Sequence, residues 1–140
     1  MYPTATQSGW RTILQREVNA VFLHASHDGG PLRPAAGGTF NGGLDYLGAP
    51  GALAVATWSH VALTWDGAML RLYVNGTPVT SKARAGTLQT TAGGAGAVRL
   101  GGNVPYGEYF KGRIDEVRIY NRVLSGAEIQ TDMTTPVTDP

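Results

Sequence analysis

The sequence contains no cysteine and little charge. Only 15% of its 140 residues are Asp, Glu, Lys or Arg, and the formal net charge is +1. Without Cys the chain can form no disulfide, no thiolate zinc site and no thiol nucleophile. It also has no basic run, and tight phosphate binding needs clustered Lys and Arg. The sequence therefore argues against nucleic acid and against an anionic membrane surface as partners.

Long apolar runs are missing as well. No stretch of the sequence approaches the roughly 18 apolar residues that a membrane-spanning helix needs. Residues 1–10 are polar and lack the apolar centre of a signal peptide. We therefore expect neither a membrane span nor a signal peptide within this chain. An export signal for the parent protein would lie upstream.

Glycine is the most prominent residue that is present. The chain has 20 Gly and 8 Pro, while 42% of its residues are hydrophobic. This is enough apolar material for one core, but it contains too much glycine for a helical protein. The composition predicts one domain of short strands joined by turns. We place that domain at residues 1–133 and a linker tail at residues 134–140.

The clearest pattern is an alternation of apolar and polar residues through residues 57–79. Two turn dipeptides divide it, Asp66-Gly67 and Asn75-Gly76. Both dipeptides accept positive φ at low cost and are strong hairpin signals between alternating runs. The segment therefore predicts a three-stranded antiparallel meander.

Further strands are predicted on both sides of this meander. We expect them at residues 12–17, 19–26, 97–101 and 110–120, with one or two more near Leu32 and near Thr39 or residues 44–47. Residues 80–96 are predicted to be a long connection. The one convincing helix signal is a capping box at Ser125 and Glu128, with Leu124 and Ile129 as its hydrophobic staple. These elements together predict an all-β antiparallel sandwich with one short C-terminal helix.

Several segments resemble one known family. They are residues 58–64 (WSHVALT), 70–76 (LRLYVNG), 99–102 (RLGG) and 110–122 (FKGRIDEVRIYNR), followed by the helix start at Leu124. In this order they resemble the laminin-G-like jelly-roll domains of the concanavalin A-like lectin/glucanase superfamily, over about residues 10–133. The resemblance implies two curved antiparallel sheets, often a structural calcium ion, and use as a module in large secreted bacterial proteins.

The chain departs from this family at its N-terminus. Family domains usually begin with further strands, and residues 1–10 resemble a point after those strands. A sandwich without them would have open sheet edges, and open edges pair with other chains unless charge or Pro protects them. We therefore expect a homodimer that pairs or exchanges edges.

Asp115 is the candidate metal ligand. On the predicted strand it shares a face with Val117 and Ile119, and an acid on an apolar face needs a partner. That partner could be a structural Ca²⁺, which the resemblance allows and which would also use backbone carbonyls. It could equally be backbone N–H groups or an Arg side chain.

The loop at residues 103–109 is the candidate ligand site. Sugar binding needs an aromatic face and polar groups for hydroxyls, and Asn103, Tyr106 and Tyr109 supply both. The alternative is a surface loop whose rings cover a sheet edge. We expect the three Trp residues to be core, and His60 to be structural. His24 and His27 are three apart and should face opposite sides of a strand, which argues against a metal site.

No catalytic residue is predicted. The sequence has no Gly-x-Ser-x-Gly motif, and adjacent Asp115 and Glu116 would point to opposite faces of a strand. It also lacks the Glu, Asp and Glu at alternate positions that mark the superfamily's hydrolases. The favoured function is a non-catalytic glycan-binding module, extracellular or at a bacterial cell surface. The alternative is a structural or protein-interaction module for adhesion or assembly without a sugar site, and an enzyme is the weakest hypothesis.

Overall fold

The computed structural model of the protein describes residues 1–90 and 96–138. Its regular elements, in chain order, are β1 (Tyr2–Pro3), β2 (Arg11–Arg16), β3 (Val21–Ser26), β4 (Ala35–Phe40), β5 (Gly43–Gly48), β6 (Val61–Trp65), β7 (Met69–Val74), β8 (Thr77–Ala83), β9 (Val98–Leu100), β10 (Gly112–Arg113) and α1 (Gly126–Thr134).

The strands form three antiparallel sheets. A five-stranded sheet has the order β5-β4-β3-β2-β9, a three-stranded sheet has the order β6-β7-β8, and β1 pairs with β10. The second of these is the meander that the sequence predicts. Its two turns have positive φ at Gly67, Asn75 and Gly76, which explains why Gly and Asn occupy them.

Side chains at the first of these turns also hold it. Asp66 Oδ1 accepts hydrogen bonds from the backbone N–H groups of Ala68 and Met69, at 2.9 and 2.7 Å. Its other carboxylate oxygen accepts from Arg71 at 2.6 Å. The Arg71 hydrogen bond, followed by the backbone hydrogen bonds, lowers the pKa of Asp66 to about 2. The carboxylate therefore stays charged across the ordinary pH range and fixes the register of β6 with β7.

The main core lies between the five-stranded sheet and the meander. Phe40 and Leu47 from the first sheet pack with Leu70 and Leu72 from β7, and each is at most 5% exposed. The half-buried ring of Trp65 lies 5.3 Å from that of Phe40. The two sheets therefore form a β-sandwich, which confirms the predicted fold class.

The C-terminal helix begins as predicted. The Ser125 side chain accepts from the Glu128 N–H, and the Glu128 side chain accepts from the Ser125 N–H. Leu124 and Ile129 are buried together against Tyr73 of β7. The capping box and staple therefore fix both the start of α1 and the face that it packs on the meander. Thr134 is still helical, residues 135–138 have no regular structure, and residues 139–140 of the predicted linker lie outside the described residues.

Two predicted strands differ from the structure. No strand forms at Leu32, which has a φ of 48°, and the two strands of this region are β4 and β5. The predicted strand at residues 110–120 is reduced to β10. Glu116 has a φ of 53°, which breaks the alternation of side chains, and no strand in the described part of the chain pairs with residues 114–120. The predicted connection at residues 80–96 includes residues 91–95, which lie outside the described residues.

Candidate functional site

The outer face of the five-stranded sheet carries a group of rings that we call the aromatic cluster: Trp10, Phe22, His24, His27 and Tyr46. The Trp10 ring centroid lies 5.2 Å from those of His24 and Tyr46, and both contacts are edge to face. It lies 6.1 Å from Phe22 and 5.8 Å from His27. Such separations and angles are those that aromatic quadrupoles favour. Trp10 is therefore the centre of the cluster.

The strand register explains why these rings share one face. Phe22 pairs with Gly37 across β3 and β4, and Gly37 pairs with Tyr46 across β4 and β5. Paired residues project to the same side of a sheet. The neighbouring positions Leu23 and Leu47 project to the other side, where they join the core. The cluster therefore lies on the face turned away from the meander.

Glycine allows close approach at two positions beneath the aromatic cluster. A Cβ atom at Gly48 would lie 2.6 Å from Nε2 of His27, so the imidazole rests directly on the backbone. A Cβ atom at Gly37 would lie 2.2 Å from the carbonyl oxygen of Asp45 and 2.6 Å from Cα of Tyr46. Part of the glycine content predicted to serve turns therefore serves close packing within strands.

A buried polar group adjoins the aromatic cluster. The Asn103 Nδ2 atom donates to Oγ1 of Thr12 at 2.9 Å and to Oε2 of Glu108 at 2.5 Å. Asn103 Oδ1 accepts from the backbone N–H of Tyr106 at 2.8 Å. Asn103 is 1% exposed. It is therefore a positioning residue that ties the loop at 103–109 to β2.

His24 lies between the rings and this polar group. Its side chain is 3% exposed, and its Nδ1 atom is 3.9 Å from Oε2 of Glu108, too far for a hydrogen bond. Neither ring nitrogen has a hydrogen-bond partner among the described residues. Burial, and secondarily the charge of His27, lowers the pKa of His24 to about 4. At neutral pH this imidazole is uncharged and one of its nitrogens can accept a hydrogen bond.

A cavity of about 200 Å³ opens between these groups. Its lining includes Trp10, Asn19, Phe22, His24, Tyr106 and Glu108. Asn19 connects two sides of it, since its Oδ1 accepts from Gln15 at 2.5 Å and its Nδ2 donates to the Tyr106 hydroxyl at 3.4 Å. Aromatic faces beside polar groups are what a small polar ligand with one apolar face requires.

The structure separates the three residues predicted for the ligand site. Tyr106 is 54% exposed and lines this cavity, while Asn103 is buried and does not line it. Tyr109 is 67% exposed and lines a different depression, of about 380 Å³, along β9 and residues 101–104. The depression at β9 is larger, but it has no cluster of rings. We therefore take the cavity beside Trp10 as the candidate site.

The sequence did not identify Trp10, Glu108 or His24 as site residues. Trp10 was expected in the core, yet it lies on the outer face, and Trp58 is 49% exposed. His24 and His27 were expected to face opposite ways, but both contact Trp10. His27 follows the end of β3, so strand alternation does not apply to it. Phe22 and His24 at alternate positions were the one signal that could have indicated a ring-bearing outer face.

The structure corrects the expected environment of Asp115. The side chain is exposed instead of buried, and Val117 and Ile119 beside it are 41% and 72% exposed. Within residues 1–90 and 96–138, no three His, Asp or Glu side chains approach closely enough to hold a metal ion. Calcium at Asp115 stays a prediction that rests on the family resemblance.

We expect Asp115→Ala to leave the melting temperature in EDTA unchanged, because exposed side chains of this kind contribute less than about 0.5 kcal/mol. Differential scanning calorimetry in EDTA measures the effect of the substitution on stability, and the same measurement in calcium tests for calcium binding. If calcium binds at Asp115, it raises the melting temperature of the parent and not of the variant. An identical melting temperature of the parent in both buffers would contradict the predicted structural calcium ion.

The pKa of His24 predicts a dependence of stability on pH. Because its pKa falls from 6.5 to about 4 on folding, the unfolded chain binds more protons between those values. Stability should be full above pH 6.5 and decline by at most roughly 3 kcal/mol as the pH falls to about 4. Urea titrations across this range should show the decline.

His24→Gln is the matched control for this decline. Burial also lowers the pKa of His60, so a smaller slope should remain in the variant. The lowered pKa values of Asp66 and Glu128, each about 2, add a loss of stability that begins below about pH 4.5 and is the same in the parent and the variant. Parallel profiles of stability against pH for the parent and the variant would show that His24 is protonated equally in the folded and unfolded states.

A family model described as the concanavalin A-like lectin/glucanases superfamily matches residues 1–130. No curated protein matches the chain significantly. No helix among the described residues is long and apolar enough to cross a membrane.

Three solved structures are similar. A proposed carbohydrate-binding protein from Bacteroides ovatus is 21% identical, with a TM-score of 0.73, over 92% of this chain and 37% of that one. A heptameric SAP-like pentraxin from Limulus polyphemus is 18% identical, with a TM-score of 0.57, over 93% of this chain and 64% of that one. An S-layer domain-containing protein from Clostridium thermocellum is 25% identical, with a TM-score of 0.49, over 94% of this chain and 64% of that one. The likeness to the first two structures shows the fold of this chain. The chain spans from about one third to just under two thirds of the three compared chains.

Proposed function

The chain belongs to the concanavalin A-like lectin/glucanases superfamily, and we propose that it is a non-catalytic glycan-binding module of a larger secreted bacterial protein. Its site is the cavity beside Trp10, on the outer face of the five-stranded sheet. The similar Bacteroides ovatus protein is named as a carbohydrate-binding protein, and this supports carbohydrate as the class of ligand.

The observation that carries this proposal is the combination of rings and hydrogen-bonding groups around one cavity. A pyranose ring has an apolar face, which stacks on aromatic side chains, and hydroxyls, which need donors and acceptors. Trp10 and Tyr106 offer the rings, while Asn19 and Glu108 offer the polar atoms. The outward position of Tyr106 leaves its ring accessible to a ligand.

The composition of the cavity supports binding without hydrolysis. Most glycosidases use two carboxyl groups on either side of the scissile bond. Among the residues that line this cavity, Glu108 is the one that carries a carboxylate. Its Oε2 atom is engaged by Asn103 and, at 3.4 Å, by the hydroxyl of Thr12. We therefore assign Glu108 to ligand binding.

A glycan array followed by affinity electrophoresis tests the proposal. The parent should be retarded in a gel that contains the bound glycan, and Tyr106→Ala should lose most of that retardation. Tyr109→Ala is the matched control, because that ring is also exposed (67%) but lines the other depression. Loss of retardation in Tyr109→Ala alone would move the site to β9. A parent that binds no glycan would favour a protein-interaction module.

A second surface supports the alternative function, protein interaction. Several apolar side chains are exposed on and around β9: Val98 (54%), Leu100 (55%) and Val104 (68%). β9 ends the five-stranded sheet, so one of its edges has no strand partner within the described part of the chain. Unprotected edges of this kind associate with other chains. We propose that the chain forms a homodimer through this edge.

We expect light scattering behind size exclusion to give about twice the mass of one chain. Leu100→Lys should return the protein to a monomer, because a charged side chain beside an edge opposes pairing. Val137→Lys, which adds the same charge at an exposed apolar side chain outside the sheets, is the control and should leave the mass unchanged. A parent that is monomeric over a wide range of concentration, with a cooperative melt, would contradict the dimer.

A further inference from the structure

We propose that the cavity beside Trp10 binds an amino sugar, with the protonated amine of the sugar on Glu108. This inference rests on the proposed function and specifies its ligand. It comes from the charge and the hydrogen-bonding groups that the cavity presents.

Glu108 is a mostly buried carboxylate without a cationic partner. Its side chain is 17% exposed, and no Lys or Arg of the described residues lies within 4.0 Å of it. Asn103 and Thr12 both donate to Oε2, and no donor among those residues reaches Oε1. Buried charges in proteins are normally paired. The missing counter-charge is supplied most directly by a ligand cation.

The groups around Glu108 favour a ligand that donates hydrogen bonds. His24 is a buried imidazole that lines the cavity, and neither of its nitrogens has a partner among the described residues. A primary ammonium has three donors and no acceptor, so it can serve the Glu108 carboxylate and an imidazole nitrogen at once. A sugar hydroxyl can serve the same atoms but supplies no charge.

The rings add to the preference for a cation. The faces of Trp and Tyr attract positive charge when it lies within about 6 Å of the ring. A second carboxylate, Asp28, accepts from Nε1 of Trp10 at 2.9 Å, so the Trp10 indole adjoins both Glu108 and Asp28. The nearby cation Arg99 is already paired with Glu17 at 2.5 Å. Uronic acids and other anionic sugars should therefore be excluded.

Isothermal titration calorimetry with glucosamine oligosaccharides tests this inference. The matched probes are their N-acetylated counterparts, which keep the ring and lose the charge, and uronic acid oligosaccharides. Since a hydrogen bond to a charged group is worth enough to change affinity roughly tenfold or more, the parent should prefer the free amine by about that factor. Uronic acid oligosaccharides should not bind.

Glu108→Gln keeps the shape of the side chain and removes its charge. It should bind the amine and the N-acetylated sugar with nearly equal affinity, while Glu116→Gln, an exposed change outside the site, should keep the parent's preference. Circular dichroism checks that both variants fold. If Glu108→Gln does not fold, the parent's own preference among the probes still tests the inference. Equal or tighter binding of N-acetylated or anionic sugars by the parent would overturn the inference and leave glycan binding standing. Failure to bind any glycan would overturn both.

Discussion

Replacing Trp10 with alanine should abolish glycan retention, the largest loss of binding that we expect from a single substitution. The indole contacts four other rings of the aromatic cluster, and Nε1 donates to Asp28. The variant removes a stacking surface and the support for its neighbours. Since each favourable aromatic pair is worth about 0.5–1.5 kcal/mol beyond its burial, affinity should fall at least roughly tenfold.

Trp58→Ala is the matched control for this loss. Trp58 is 49% exposed and contacts Tyr2, at a ring separation of 5.5 Å, but does not belong to the aromatic cluster. Affinity electrophoresis should show the parent and Trp58→Ala equally retarded. Normal retention of a folded Trp10→Ala protein would place the ligand elsewhere.

Substituting Gly37 with alanine should produce the largest loss of stability. The added Cβ would meet the carbonyl oxygen of Asp45 at 2.2 Å and Cα of Tyr46 at 2.6 Å. Both atoms are backbone, so no side chain can rotate away, and β5 must move. Overpacking of a core typically costs about 1–3 kcal/mol, and a backbone clash should reach the upper part of that range.

Gly51→Ala provides the comparison, because a Cβ there has nothing within 4 Å. Urea denaturation should show a lower midpoint for Gly37→Ala and an unchanged midpoint for Gly51→Ala. Weaker glycan retention should accompany the first, because β5 carries Tyr46. Equal midpoints would show that the sheet accommodates a side chain at residue 37.

Local signals predicted the meander and the helix correctly. Asp66-Gly67 and Asn75-Gly76 set the two turns, and the capping box at Ser125 sets the start of α1, because each depends on residues close together in sequence. The strand at residues 110–120 was predicted from alternation alone. Alternation does not create a ladder partner, and the positive φ of Glu116 interrupts it. The predicted burial of Asp115 on a strand face was wrong for the same reason.

The candidate site was predicted only in part, because it depends on strand register. Composition identified Tyr106 within an aromatic, polar loop. Trp10 and Glu108 are far apart in sequence and meet near β2 only once the sheet has formed. No local pattern distinguishes a ring on the outer face, such as Trp10, from a ring in the core, such as Trp65. The sequence could therefore suggest a glycan as the ligand, which stays a proposal, but it could not locate the cavity.

The indole N–H signals of the protein test the central claim most directly. The chain has three Trp residues, so a ¹⁵N-labelled sample gives three indole signals in a two-dimensional NMR spectrum. Titration with an oligosaccharide that the array identifies should shift the signal of Trp10 and leave those of Trp58 and Trp65 in place. A shift confined to Trp58 or Trp65, or binding that moves no indole signal, would contradict a glycan site on the outer face of the five-stranded sheet.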